Sequence, residues 1–512
     1  MLDVVIAGAG PNGLMLACEL TLAGVRPLVV ERLPERTGEN RANGMVGQVV
    51  RMLDRRGLHR RLAGELGPPV PAFVFGALKL DLTLLQQNPL HILPVPQRRL
   101  EAMLEERARE LGVEIRRGHE LTGMAQDDDG VTLDITGPDG GYRLRARYVV
   151  GADGGSSVTR KLAGIDFPGV THDHKISRTA HATVPASMID PVTGGLRVPG
   201  HGVIAPMFHY RTETGLFIYA PLGGTPLIST AEDDETEFAD ETPMTLDELR
   251  KSVRRVLGAD VPLGPPEGEG PHLMRRLLGG NTRLAERFRD RRVLLVGDAA
   301  HVHSAIGGPG LNLGLQDAIG LGWKLAAEIN GWAPPGLLDT YESERRPVAE
   351  RVVMHTMAQS ALIAPGGEVT ALRQLFEELL RDPRTVQHIA DLMSGADIRY
   401  DMGTDDSHPL TGRWAPDVVV DTGEATVALA ELTASARPLL LDFTEDALLR
   451  GELSGWHDRV DVVAGRPVGE APATALLLRP DCYVAWASSS PSPDPKSLHA
   501  ALERWFGAEL DA

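Results

Sequence analysis

Cysteine is nearly missing from this chain: Cys18 and Cys482 are the only two in 512 residues, and they stand far apart. That excludes a disulfide framework, a C-x-x-C redox pair and a cysteine-based zinc cluster. Aromatic residues make up only 4%, so any concentration of them carries information. No apolar run approaches the ~20 residues of a membrane-spanning helix. Positive charge is in deficit, with 52 Lys and Arg against 70 Asp and Glu and a formal net charge of −18. Nucleic acid and anionic membrane surfaces repel such a chain, so neither is expected as a partner. No basic stretch precedes the first apolar segment, Leu2–Ala7; no secretory signal is expected, and the expected location is cytoplasmic. What remains is a globular composition, 42% hydrophobic, long enough for two to four domains.

The first thirty residues have the pattern of one βαβ unit. Val4–Ala7 reads as a buried strand, and Gly8, Gly10 and Gly13 follow as G-x-G-x-x-G with Pro11 between them. Leu14, Leu16, Ala17 and Leu20 mark a helix, and the strand Pro27–Val30 runs into Glu31 and Arg32. The glycines let backbone turn tightly and approach a pyrophosphate, whose charge sits at the helix N-terminus. Glu31, eighteen residues past Gly13, can accept from a ribose diol, which favours NAD or FAD over NADP as the tightly held nucleotide.

A plain dehydrogenase would continue the βαβαβ pattern. This chain instead makes a basic excursion through ENRANGM, which contains Arg41, and then a Pro-rich apolar stretch from Pro68 to Pro96. A helix from Arg98 to about Leu111 follows. Two further motifs lie downstream. YVVGADGGSSVTRKLAGI (Tyr148–Ile165) is a strand followed by Asp153-Gly154 and a helix start, and RRVLLVGDAAHVHSAIGGPGLN is a strand, Val293–Val296, leading into Gly297-Asp298 and a glycine loop. GAGPNG, GADGGSSVTR and GDAAHVHSAIGGPGLN, in that order, resemble the motifs of the class A FAD-dependent aromatic monooxygenases of the p-hydroxybenzoate hydroxylase fold. The resemblance is closest to the branch of bacterial polyketide hydroxylases and of rifampicin- and tetracycline-type monooxygenases, and it covers the whole chain.

That resemblance implies an α/β protein with a Rossmann-like FAD-binding domain, a mixed-sheet substrate domain and a C-terminal thioredoxin-like domain. The expected partition is 1–70, 97–170 and 275–345 for FAD, 71–96 and 171–274 for substrate, a helical connection over 346–400, and 401–512 for the last domain. It also implies roles for residues. Asp298 would accept from the ribityl hydroxyls of non-covalent FAD. Pro309, Gly310, Leu311 and Asn312 would bring a helix N-terminus to the flavin edge where negative charge gathers on reduction. Arg41 would lie beside the flavin ring and help position NADPH, Gln97 would stand at a helix start near the ring, and Leu121 would pack backbone against adenine. Asp153 belongs to the motif associated with the pyrophosphate and with NAD(P)H docking; from the residues alone it is equally an Asx-type helix cap. His301 and His303 raise the possibility of a metal, but no further ligands stand at suitable spacing, and backbone hydrogen bonding or a wall of the site is the favoured reading.

The stretch His201–Gly224 predicts a hairpin around Thr212–Gly215. Phe208 and Tyr210 would share one face of its first strand, and Phe217 and Tyr219 one face of its second. Four aromatics in twelve residues are either a platform for a flat substrate or sheet core. Beyond residue 402, RPLLLDF, RVDVV and TALLLRPDCYVAWAS read as strands and KSLHAALERWFGAEL as a closing helix. Without C-x-x-C, that domain is expected to serve packing or dimerisation rather than thiol chemistry. No Ser-His-Asp set or carboxylate dyad presents itself, which fits a reaction whose hard step belongs to a cofactor.

The expected function is therefore hydroxylation of an aromatic polycyclic, polyketide-type substrate through a flavin C4a-hydroperoxide. NADPH or NADH would be the transient reductant and O2 the co-substrate, in a monomer or homodimer. Alternatives are an antibiotic-inactivating monooxygenase of the rifampicin or tetracycline type, a flavin reductase of the same fold, or a protein that sequesters a pigment or antibiotic without turnover.

Overall fold

The computed structural model describes the chain except residues 37–41, 172–174, 222–224, 237–241, 269–271, 305, 405–407 and 510–512. At its centre, strands Val293–Leu295, Gly140–Gly151, Leu2–Ala7, Pro27–Glu31 and Glu114–Arg117 lie side by side in that order, all parallel. Val4, Val5 and Ile6 are wholly buried, because helices cover one face and an antiparallel excursion covers the other. That excursion, Glu120–Gln126 and Val131–Gly137, returns onto Gly140–Gly151. Parallel strands covered on both faces read as unbroken apolar runs, which is why VVIA and VLL are so plain in the sequence.

The helix Pro11–Leu22 begins at extended Gly10 with Pro11 in its first turn, where a missing N–H costs nothing. It crosses the long helix Pro309–Asn330 at close range, and small residues permit the approach. A Cβ on Gly322 would lie 2.6 Å from Glu19 Cβ, and one on Gly314 would lie 2.3 Å from Asn12 Nδ2.

A second, antiparallel sheet runs His209–Arg211, Gly215–Ala220, Leu227–Asp233, Lys175–His181 and Met274–Leu278. Helix Leu246–Leu257 covers one of its faces. The hairpin lies where the sequence predicts it. Two expected boundaries are corrected. Met274–Leu278 pairs with Lys175–His181, so this sheet extends past residue 274. The hairpin Ala72–Phe75/Leu78–Asp81 does not join it; Phe75, Leu78 and Leu80 instead pack with Leu362, Val386 and Ile389 of the helices Thr340–Ile363 and Pro383–Ser394. The first of these helices also runs across the expected break at 345/346.

The C-terminal third folds around strands Asp461–Ala464, Leu439–Asp442, Ala475–Leu478 and Val484–Ser488, closed by helix Pro495–Phe506. It is bolted to helices Pro309–Asn330 and Thr340–Ile363 by buried charge. Arg479 donates to both Glu344 oxygens (2.7 and 2.8 Å), Lys324 Nζ reaches Glu344 at 2.6 Å, and Arg479 Nε bonds Asp481 at 3.0 Å. Burial alone would raise the Glu344 carboxyl; Arg479 and Lys324 overcome it and hold it low. Arg56 grips Glu19 through two bonds of 2.8 and 2.9 Å and donates to Pro480 O.

Candidate active site

The glycine turn shows three different constraints. Gly8 has φ +111°, and a Cβ there would lie 2.4 Å from Ala152 O; at Gly13 it would lie 2.0 Å from Gly8 O. At Gly10 a Cβ would meet nothing within 4 Å. The first and third glycines thus serve tight turning and helix–strand packing, while the second faces open space in front of a helix N-terminus. Unpaired first-turn N–H groups pointing into open space form a donor set for a pyrophosphate. Glu31 ends the neighbouring strand and already accepts from Ala9 N (2.8 Å) and Leu33 N (2.9 Å). Its carboxylate is thereby held at the lip of the turn. Arg32 beside it is exposed.

The second open helix start lies next to the first. Strand Val293–Leu295 ends in Gly297, φ +61°, where a Cβ would lie 2.0 Å from Asn12 Nδ2. Asn12 therefore sits between Gly297 and Gly314 and joins the two helix beginnings. Asp298 follows, exposed at the carboxyl end of the central sheet. Helix Pro309–Asn330 starts after Gly308 in the left-handed region, with open space around that glycine. Gly310, Leu311 and Asn312 lie in its first turn. Asn312 Oδ1 accepts from Val46 N (3.1 Å) and its Nδ2 donates to Gly308 O (2.7 Å), so its side chain braces the loop and its backbone is left for a ligand.

One carboxylate holds this loop. Asp317, wholly buried, accepts from His301 Nε2 (2.6 Å), Arg345 Nε (2.8 Å) and Gly297 N (3.2 Å). Arg345 continues to Tyr400 Oη at 2.9 Å. His301 is therefore a structural partner of Asp317. His303 rests on Ser304 O at 3.0 Å, and burial pushes its imidazole down to about 4. Among the described residues no group of three or more His, Cys, Asp and Glu is placed to hold a metal.

The other expected site residues divide. Asp153 spends both oxygens on its own loop, accepting from Ser157 Oγ (2.5 Å), Thr159 N (2.9 Å) and Thr159 Oγ1 (3.0 Å), while Ser157 caps the short helix that follows by accepting from Arg160 N (2.9 Å). Arg160 is buried, bonding Ala299 O (2.9 Å) and lying over the Phe167 ring at 3.8 Å. Gln97 opens helix Gln97–Glu110 and donates to Glu101 at 2.7 Å. Leu121 is a core residue of the excursion sheet. Arg41 lies outside the described residues.

The aromatic platform is corrected. Phe217 and Tyr219 are buried beneath helix Leu246–Leu257, and Tyr210 packs on the same core while its hydroxyl bonds His201 Nδ1 at 3.0 Å. Phe208 precedes the strand, exposed, because Met207 has φ +70° and breaks the extended chain. The face that Tyr210, Phe217 and Tyr219 share is the one turned to the helix.

Asn12, Asp317, Arg345 and Tyr400 went unnoticed in the sequence. A signal existed for one of them: Asp317 interrupts a long apolar helix, and a buried charge requires a partner.

A sheet with two adjacent open helix starts at its carboxyl end, and a second antiparallel sheet beside it, defines a flavin-dinucleotide enzyme. The comparisons agree. Residues 1–356 match the family described as FAD binding domain, and 408–509 match aromatic-ring hydroxylase, C-terminal. The chain is 43% identical to the anhydrotetracycline monooxygenase of Streptomyces rimosus, over 99% of both chains. It is 39% identical to the rifampicin monooxygenase of Streptomyces venezuelae, again over 99% of both. A solved aromatic hydroxylase from angucycline biosynthesis superposes with a TM-score of 0.86 at 35% identity, covering 99% of each. The chain belongs to the FAD-binding aromatic-ring hydroxylases and is a flavoprotein monooxygenase.

Proposed function

We propose that this enzyme uses NADPH or NADH and O2 to hydroxylate a phenolic polycyclic, polyketide-type substrate. The single observation that carries the reading is the pair of adjacent open helix starts joined by Asn12, which suits a dinucleotide whose pyrophosphate meets one and whose flavin meets the other. Glu31 binds the adenosine ribose diol, and Asp298 the ribityl chain. The first-turn amides of Gly310, Leu311 and Asn312 favour negative charge at the flavin edge without a cationic side chain. FAD, when bound and reduced, supplies the oxygen chemistry. The protein orients the substrate ring against it and keeps water away. Arg41 is proposed to act at flavin reduction.

The FAD domain is proposed as residues 1–70, 97–170 and 279 to the end of helix Thr340–Ile363, with the substrate sheet extended to 278. The C-terminal four-stranded unit is proposed to be thioredoxin-like without redox function, because its single cysteine, Cys482, cannot form C-x-x-C. No helix among the described residues is long and apolar enough to cross a membrane.

Purified protein should be yellow and release FAD on acid precipitation, and NADPH oxidation should accelerate with phenolic anthraquinones or tetracyclines. Colourless protein that binds NAD in place of FAD, or NADPH oxidation that reduces the substrate rather than oxygenating it, would overturn the proposal.

A further inference from the structure

The five-stranded sheet aligns one residue from each strand on the face turned away from helix Leu246–Leu257. His209 stands opposite Ile218, Ile218 opposite Ser229, Ser229 opposite Thr179, and Thr179 opposite Arg275. Alternation fixes their direction. Phe217 and Tyr219 point into the helix-side core, and Arg276 bonds Glu248 of that helix at 2.7 Å; their neighbours Ile218 and Arg275 therefore point the other way. All five residues of the row are half-buried, whereas Arg178, Phe217 and Thr230 on the helix-side face are buried.

Both edges of the sheet lead to the flavin loop. The Arg275 strand is followed at once by Asn281–Leu284, which pairs with His301–Val302. At the other edge Arg211 donates to Ala364 O (2.9 Å) and Gly366 O (3.2 Å), just past the helix whose Gln359 Nε2 would lie 3.1 Å from a Cβ on Gly307.

The two ends of the row differ chemically. Arg275 Nε is buried with no hydrogen-bond partner, and among the described residues no carboxylate forms an ion pair with it. At the far end, burial lowers the His209 imidazole, so it is neutral, with one donor and one acceptor. Between them Thr179 Oγ1 and Ser229 Oγ bond each other at 2.7 Å, and Ile218 offers apolar surface.

We propose that this row contacts the substrate, with Arg275 pairing an ionised oxygen, a phenolate or the enolate of a 1,3-dicarbonyl, at one end of a flat fused-ring molecule whose other end meets His209. Four interstrand steps of ~4.8 Å set the end strands roughly 19 Å apart. To meet a three- or four-ring polycycle within that span, the long side chains of Arg275 and His209 have to lean inward over the sheet. A guanidinium left with a buried, unpaired N–H gains most from a charged acceptor. The inference rests on the hydroxylase reading and adds the charge and orientation of the substrate to it.

The test is titration of the FAD-loaded enzyme, without reductant, following the flavin spectrum with alizarin and with its dimethyl ether. Wild type should prefer alizarin, and its alizarin affinity should fall as the phenol protonates. Arg275→Gln should weaken alizarin tenfold or more and the ether less than twofold, with partial recovery in Arg275→Lys. Equal alizarin binding by wild type and Arg275→Gln, or equal loss of both probes, overturns the assignment of Arg275. Should Arg275→Gln not fold, alizarin binding to wild type that is independent of pH overturns it instead. A wild type that binds neither probe overturns the polycyclic-substrate reading itself.

Discussion

Replacing Asp317 with Asn removes the carboxylate that gathers His301, Arg345 and Gly297 around the loop after strand Val293–Leu295. The carboxylate takes His301 Nε2 at 2.6 Å, Arg345 Nε at 2.8 Å and Gly297 N at 3.2 Å, all out of water. Asn keeps the shape but turns an NH2 toward a site full of donors. Removing one partner of a buried ion pair costs about 3–5 kcal/mol, a large share of the ~5–15 kcal/mol that holds a typical protein folded. Urea unfolding of wild type and variant measures that loss. FAD titration should show at least a tenfold weaker Kd, about 1.4 kcal/mol, because Gly297 and the adjoining Asp298 lose their anchor. The pH dependence has a definite sign. Burial would raise the Asp317 carboxyl, but His301 and Arg345 prevail and lower it. A depressed folded-state pKa contributes stability that is fully present above the unfolded value, ~3.9, and is lost as pH falls through the folded value. The gap between wild type and Asp317→Asn should stay constant from neutrality to about pH 4 and narrow only below it. A gap under about 1 kcal/mol at neutral pH, with unchanged FAD affinity, would refute the role given to Asp317.

Gly13→Ala would place Cβ 2.0 Å from Gly8 O and should prevent folding of the apoprotein, whereas Gly10→Ala, which meets nothing within 4 Å, should melt like wild type yet bind FAD at least tenfold more weakly. Similar melting and similar FAD affinity for both would contradict the separate duties of the two glycines. Phe217→Ala should cost about 3–5 kcal/mol in chemical unfolding without changing the ratio of kcat/KM across a substrate panel; a changed ratio would return Phe217 to the substrate surface. Arg41→Ala should retain FAD and slow its reduction by NADPH tenfold or more in anaerobic stopped flow, on the order of 1.4 kcal/mol; equal rates would remove Arg41 from the reductive step.

Local chemistry made the nucleotide-binding parts legible. Buried parallel strands, turn glycines and a strand-end acid are short-range signals, and the helix start expected at Pro309–Asn312 is observed as the first turn of Pro309–Asn330. The face of an aromatic strand was not legible in the same way. Alternation groups Phe217 with Tyr219, but only the amphipathic helix Leu246–Leu257 arriving from later in the chain decides that this side is core. Met274–Leu278 carries two adjacent arginines and no alternation, so its membership of the sheet rests on pairing with Lys175–His181. Buried charge networks escaped for a related reason. Asp317 finds Arg345 28 residues away, and Arg479 finds Glu344 across 135; such partners become visible only when helices and domains have met.

Monooxygenation is tested most directly by a single turnover of the reduced, FAD-loaded enzyme under ¹⁸O2 with a phenolic polycycle that it binds. The product should contain one labelled oxygen atom, with the second atom released as water. A product without label, or flavin reoxidation that leaves the polycycle unchanged across all phenolic members of the panel, would contradict the assignment.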